Sequence, residues 1–179
     1  LVYFLRKKGF SIEKIEENNI QGGSIRLYCK KNYSASVSLN VQQQLDKESK
    51  SLNELKIKGW KNKINLNIDK IKSIIDTTIK SGGSIYGLGA TTKATLILGM
   101  LGNFSNHIKL IVDDNYLKVN KFTSTIPILI CSELPANMSK NDLIICFAWN
   151  FYEELFKKLK NTTAKGCFLN VNNTERRYL

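Results

Sequence analysis

Three observations in this sequence predict an α/β fold whose main unit is a parallel sheet covered on both faces. Short, near-continuous apolar runs recur after residue 84: SIYG, IKLIVDD, IPILIC, DLIICFAW and GCFLNV. Strands buried on both faces read this way, without the alternation of a half-solvated sheet. Helix-like stretches at 91–101 and 150–160 separate them, with a short one expected near 132–136. That exchange of strand and helix gives a Rossmann-like unit over 84–179. Finally, a long helix with one apolar face leads into the first of these strands.

The elements ahead of that unit follow in order. Residues 1–8 read as the end of a helix stopped by Gly9, in the usual C-terminal glycine position. The runs FSIEKIEE and SIRLYCKK, joined by the turn-rich NNIQGG, predict an antiparallel strand pair. In the second run Ile25, Leu27 and Cys29 alternate with polar residues, the period of a half-buried strand. Residues 32–50 are polar and read as a linker that becomes a helix. From about residue 52, Trp60, Ile64, Ile68, Ile71, Ile75 and Ile79 step by three or four, an apolar helix face expected to pack on a core. Gly82 and Gly83 end that helix.

Composition narrows the function. At 179 residues and 42% hydrophobic, the chain is long enough to bury one full core and a small appended unit. The net charge of +12 invites a nucleic-acid partner, but the lysines are scattered and no aromatic-glycine motif is present to stack bases. A diffuse positive field favours an anionic small molecule instead. No apolar run approaches the roughly 18–20 residues of a membrane span. The four cysteines, Cys29, Cys131, Cys146 and Cys167, never form CxxC and each sits in a strand-like run, where a thiol acts as a small hydrophobe. This usage points to a reducing, cytoplasmic compartment and to neither a zinc site nor a disulfide framework. His107, the single histidine, has no partner in the pattern and reads as a surface residue.

The segment with most chemical content is YGLGATTKATLIL, where the first strand of the sheet meets its helix. Gly87 and Gly89 let backbone approach a ligand, and the turn amides from Gly89 to Thr92, at the helix start, offer free N–H groups to a phosphate. Asp113 ends the next strand, near where a dinucleotide fingerprint places a ribose-binding carboxylate, but Thr92 replaces the third glycine. Taken alone, the turn reads as a cofactor site, as the seat of another anion, or as a bare tight turn. Lys93 reads as a phosphate ligand or a plain helix-surface lysine. Trp149 is a rim aromatic or a substrate-stacking ring, and Asn150 a ligand or the N-cap of the helix FYEELFKKL. Lys118 and Lys121 read as solvated loop charges.

Four segments, QGGSIRLY, YGLGATTKATLIL, VDDNYLKVNKFTSTIPI and FAWNFYEEL, in this order and spacing, resemble the C-terminal region of the S-adenosylmethionine-dependent sugar C-methyltransferases. Those enzymes act on nucleotide-linked keto-deoxysugars. The family pattern has a His-Gly-Gly-Ser-hydrophobic-Arg strand and a Gly-Tyr-Gly-Ala-x-x-Lys turn. Strand ends of the forms Val-Asp-x-Asn-Pro-x-Lys and Ala-Trp-Asn follow. The resemblance spans essentially the whole chain. Gln21 replaces the family's histidine, Leu88 its tyrosine and Tyr116 its proline, departures that touch substrate detail.

The resemblance implies three segments. Residues 1–31 are the closing helix and hairpin of a class I methyltransferase domain, 32–83 a linker and long helix, and 84–179 a Rossmann-like substrate-binding domain. It further implies that S-adenosylmethionine, a four-cysteine zinc module and the catalytic base belong to parts of the enzyme ahead of Leu1. On that view this piece holds no catalytic residue and is inactive alone. The partner it implies is a nucleotide-sugar, gripped by Gly87, Gly89, Ala90, Thr91, Thr92, Lys93, Asp113, Asn115, Trp149 and Asn150. Two rivals stand beside it: a nicotinamide-dinucleotide module of an oxidoreductase and a non-catalytic interaction domain.

Overall fold

The computed structural model describes residues 1–31, 38–124 and 126–179. Residues 32–37, where the linker was expected to begin, and Thr125 lie outside the described residues, as does the side chain of Gln21. By packing, the chain divides into two compact units, Leu1–Lys61 and Asn62–Leu179. The division falls inside one long helix, α3 (Glu54–Lys80), whose second half carries the core side chains Ile68, Ile71 and Ile75. Among the described residues no helix is long and apolar enough to cross a membrane.

The first unit holds helix α1 (Val2–Lys7), strands β1 (Phe10–Asn18) and β2 (Ser24–Lys31), and helix α2 (Leu39–Ser51). Gly9 takes φ +80°, the left-handed turn that a glycine after a helix supplies. The strands pair antiparallel from Phe10 opposite Lys31 to Asn18 opposite Ser24. The start of α2 is tied to β1, where the Ile15 N–H donates to Asn40 Oδ1 at 2.8 Å. Among the described residues its apolar burial is thin, with Ile12 and Val41 the buried hydrophobic side chains of this unit. The expected half-buried face of β2 is not found: Ile25 and Cys29 are exposed and only Leu27 is partly covered. Alternation in a sequence marks a face able to be buried, and among the described residues of this unit nothing covers that face.

The second unit is the predicted sheet. Its strands are β3 (Ile85–Leu88), β4 (Ile108–Val112), β5 (Ile130–Cys131), β6 (Leu143–Cys146), β7 (Cys167–Asn170) and β8 (Arg176–Tyr178), in the spatial order β5-β4-β3-β6-β7-β8. The first five run parallel, and β8 closes the edge antiparallel to β7. Helices α4 (Thr92–Leu101) and α5 (Tyr152–Lys160) complete it.

Strand residues alternate between two cores, as the period of two requires. Ile85, Ile111, Leu143, Ile145 and Leu169 pack with Ile68, Ile71 and Ile75 of α3 and with Ala94, Leu98 and Leu101 of α4. Tyr86, Val112, Ile144, Cys146 and Phe168 pack on the opposite face with Tyr152 and Leu159 of α5. Helices thus cover both faces, and the α/β class stands.

Three local expectations need correction. The stripe on α3 is buried only from Ile68 to Ile75; Trp60, Ile64 and Ile79 are 52%, 49% and 38% exposed. No helix forms at 132–136, which is a bend and turn leading to β6. The edge strand β8 has no counterpart in the apolar runs, because its residues Arg176, Arg177 and Tyr178 are polar and lie at the sheet margin.

Candidate functional site

The strand order reverses at β3: the chain steps outward through β4 and β5, then returns to the other side of β3 as β6. The carboxyl ends of strands flanking such a switch point form the crevice where open α/β sheets bind ligands. Hydrogen bonding continues past the strand ends there. Gly89 N–H donates to Val112 O at 2.7 Å, Phe147 N–H to Leu88 O at 2.9 Å, and Asp113 N–H to Cys131 O at 3.0 Å. The loops Gly89–Thr91, Asp113–Lys118 and Ala148–Phe151 are therefore seated at one edge of one sheet.

The glycines serve packing. A Cβ at Gly87 would lie 2.7 Å from Ile111 Cγ1 and 2.9 Å from a ring carbon of Phe147, so the strand passes under its neighbours only because that atom is missing. Gly89 adopts φ +90°, and a Cβ there would lie 2.6 Å from the Cβ of Ala148. It brings the β3 and β6 loops together and turns the chain into α4.

Asp113 holds that turn from beneath. It is 8% exposed, and its Oδ2 accepts from Ala90 N–H at 2.8 Å and from Lys118 Nζ at 3.1 Å. Its Oδ1 accepts from Asn115 N–H at 3.0 Å. Lys118 Nζ also donates to Ala90 O at 3.0 Å, so one carboxylate and one ammonium grip both polar groups of residue 90. Lys118 is thus a structural partner and not the solvated loop charge that the sequence suggests. Its signal was present, since it occupies the lysine place of the Val-Asp-x-Asn-Pro-x-Lys pattern. Asn115 continues the scaffold by accepting Leu117 N–H on Oδ1 at 3.0 Å.

These bonds decide which amides face a ligand. The N–H groups of Gly89 and Ala90 are engaged as described, and Thr91 N–H donates to Gly89 O at 2.9 Å. Thr91 caps α4, its Oγ1 accepting Ala94 N–H at 3.1 Å. Of the donors expected at 89–92, only Thr92 remains open, joined by the Lys93 amide. Both lie in the first turn of the helix, where N–H groups have no partner within the helix. They are the electropositive end of its dipole.

Beside them, Lys93 Nζ stands 4.4 Å from the centre of the Trp149 ring. That ring is half-buried against the α3–α4 core, so Trp149 is both a core and a rim residue. Asn150 is exposed in the single turn Trp149–Phe151 and is not the helix cap: α5 starts at Tyr152 after Phe151, with no side-chain cap. The sheet edge thus gathers two free amides, an ammonium held on an aromatic face, and an exposed carboxamide, a set suited to an anion with a flat group beside it.

The Asp113 clamp makes a separate prediction. In Asp113→Asn the side-chain oxygen must serve Ala90 N–H and Lys118, which leaves the new NH2 group facing Asn115 N–H, donor against donor. A loss of about 1–3 kcal/mol in unfolding free energy is expected, the range for an unsatisfied buried group. Urea titration followed by circular dichroism measures it, and a loss under about 0.5 kcal/mol would show that the clamp does not hold the turn.

The carboxylate's burial also bears on the dinucleotide reading. A ribose-binding acid must present an oxygen to the crevice, and both oxygens of Asp113 are covered and occupied. The carboxylate is therefore committed to holding the turn at residue 90.

Comparison with known proteins agrees with the motif order. A protein-family model described as a C-methyltransferase C-terminal domain matches residues 19–171, well over half of the chain and inclusive of all four motif segments. Comparison with curated proteins gives no match. With its parallel sheet and its switch-point edge in place, the chain belongs to the family of C-methyltransferase C-terminal domains.

Proposed function

We propose that this chain is the substrate-gripping part of an S-adenosylmethionine-dependent C-methyltransferase, and that its ligand is a nucleoside diphosphate-linked keto-deoxysugar. The observation that carries the reading is the Lys93 ammonium fixed over Trp149 beside the open amides of Thr92 and Lys93 at the switch point. A diphosphate supplies the anion, and its nucleoside or sugar supplies the flat or polar neighbour for Trp149 and Asn150. Gly87, Gly89, Ala90, Thr91, Asp113 and Asn115 act one layer back, shaping the turn that presents those groups.

The chemistry explains why a gripping domain is needed. A keto group acidifies the adjacent sugar C–H, and a base within hydrogen-bond reach removes that proton. The resulting carbanion must then be aimed at a methyl donor, and holding the diphosphate fixes that aim. S-adenosylmethionine, when bound, supplies the electrophilic methyl group, and on this reading it, the base and any zinc are held outside this edge. On this reading the chain alone does not turn over substrate.

The test is a titration of the 15N-labelled chain with a nucleoside diphosphate, S-adenosylmethionine and NADH in parallel. The nucleoside diphosphate is expected to shift the amide signals of Thr92 and Lys93 and the Trp149 indole signal, with S-adenosylmethionine leaving them in place. Saturable shifts of that set by S-adenosylmethionine or NADH, and none by the nucleoside diphosphate, overturn the assignment.

A further inference from the structure

On the β7–β8 side of the same sheet an open groove of about 510 Å³ runs along α3. Its floor is the start of β6 and of β7, and its walls are α3 and the antiparallel strand β8. Three cations line it: Lys70 from α3, Lys140 from the loop before β6, and Arg176 from β8. Among the described residues none of the three has an ion pair. Within β8 the two arginines differ. Arg177, on the face toward Tyr152 and Phe156, contacts both Glu153 and Glu175, whereas Arg176, one residue back and on the groove face, meets no acid.

One carboxylate lines the groove, and it is withdrawn. Asp142 is 5% exposed and accepts from Ser84 N–H at 2.8 Å, Ser139 N–H at 2.9 Å and Ser139 Oγ at 3.0 Å. Those bonds, together with Cys167 N–H to Asp142 O at 2.8 Å, make a fixed floor. A Cβ at Gly83 would fall 2.1 Å from Asn141 O, and one at Gly166 2.4 Å from Asp142 O, so backbone is packed against backbone beneath the cations. A rigid concavity of this volume is in the usual range for a small-molecule site. With three unpaired cations and no accessible acid, its complement is a multiply charged anion. Tyr178, 68% exposed at the groove, adds a free ring beside the charges.

We propose that this groove is a second ligand site, taking a phosphorylated small molecule whose phosphates meet Lys70, Lys140 and Arg176 while Tyr178 lies against its organic part. It shares no lining residue with the site at Lys93.

The probe is ADP, titrated into the 15N-labelled chain carrying Lys93→Ala, which removes the ammonium at the carboxyl edge. Saturable shifts are expected at Asn141–Leu143 and Arg176–Tyr178. The double variant Lys140→Ala/Arg176→Ala, both exposed positions, should weaken binding by about tenfold or more with an otherwise unchanged spectrum. Shifts that grow without saturation over the lysine-rich surface, saturable shifts confined to the carboxyl edge, or equal affinity in the double variant would each overturn the proposal.

Discussion

Gly89→Ala is expected to destabilise the second unit by about 2–5 kcal/mol, although it adds a single methyl group. Two terms combine. The residue sits at φ +90°, where an L side chain meets its own backbone at a cost of roughly 1–2 kcal/mol. The new Cβ would also lie 2.6 Å from the Cβ of Ala148 and 3.1 Å from its nitrogen. The obstacle is therefore the backbone after β6 and its shortest side chain, which cannot rotate away. Overpacking of this kind costs about 1–3 kcal/mol. Gly82→Ala separates the terms, since Gly82 has φ +74° but open space where its Cβ would go. That variant should show the conformational cost alone. Urea midpoints for the two proteins give the comparison, and equal losses would mean that the β3 and β6 loops part easily.

The same contact shows how far the sequence could be read. The sheet was legible because each strand carries its own apolar run, and a run such as DLIICFAW needs no knowledge of its neighbours to declare itself. The α3 helix was legible as a helix, but the depth of its stripe was not. Periodicity marks Trp60 and Ile64 as equivalent to Ile71 and Ile75, and only packing separates the exposed pair from the buried one. Strand β8 escaped because an antiparallel edge strand of polar residues carries no apolar signature.

At the site, the turn at 87–93 was visible from its glycines and the helix after it, and the strand ends at Asp113 and Trp149 from their position. The division of labour among them was not. That Asp113 and Lys118 engage residue 90 from below, and that Lys93 rests on Trp149, are relations between segments 23 to 56 residues apart, fixed only when β3, β4 and β6 lie side by side. Sequence gave the parts of the edge; pairing of the strands gave each part its role.

Lys93→Ala is expected to weaken binding of a nucleotide-sugar by about 1.5–3 kcal/mol, the range for a hydrogen bond to a charged group, or about 10-fold to 150-fold in Kd. The ammonium adds a charge to a helix end already favourable to anions. The substitution also removes the cation–π contact at 4.4 Å, so a stability loss of about 0.5–1 kcal/mol accompanies it. That is more than a bare surface lysine would show. Two measurements keep these effects apart. Thermal unfolding without ligand reads the contact with Trp149, and calorimetric titration with the nucleotide-sugar reads the phosphate. Lys93→Arg retains the charge and stacks on an aromatic ring, so it should recover stability and most of the affinity. A variant that loses the expected stability and binds as tightly as the parent would show that Lys93 serves Trp149 alone. The diphosphate would then have to rest on the Thr92 and Lys93 amides, which the substitution leaves in place.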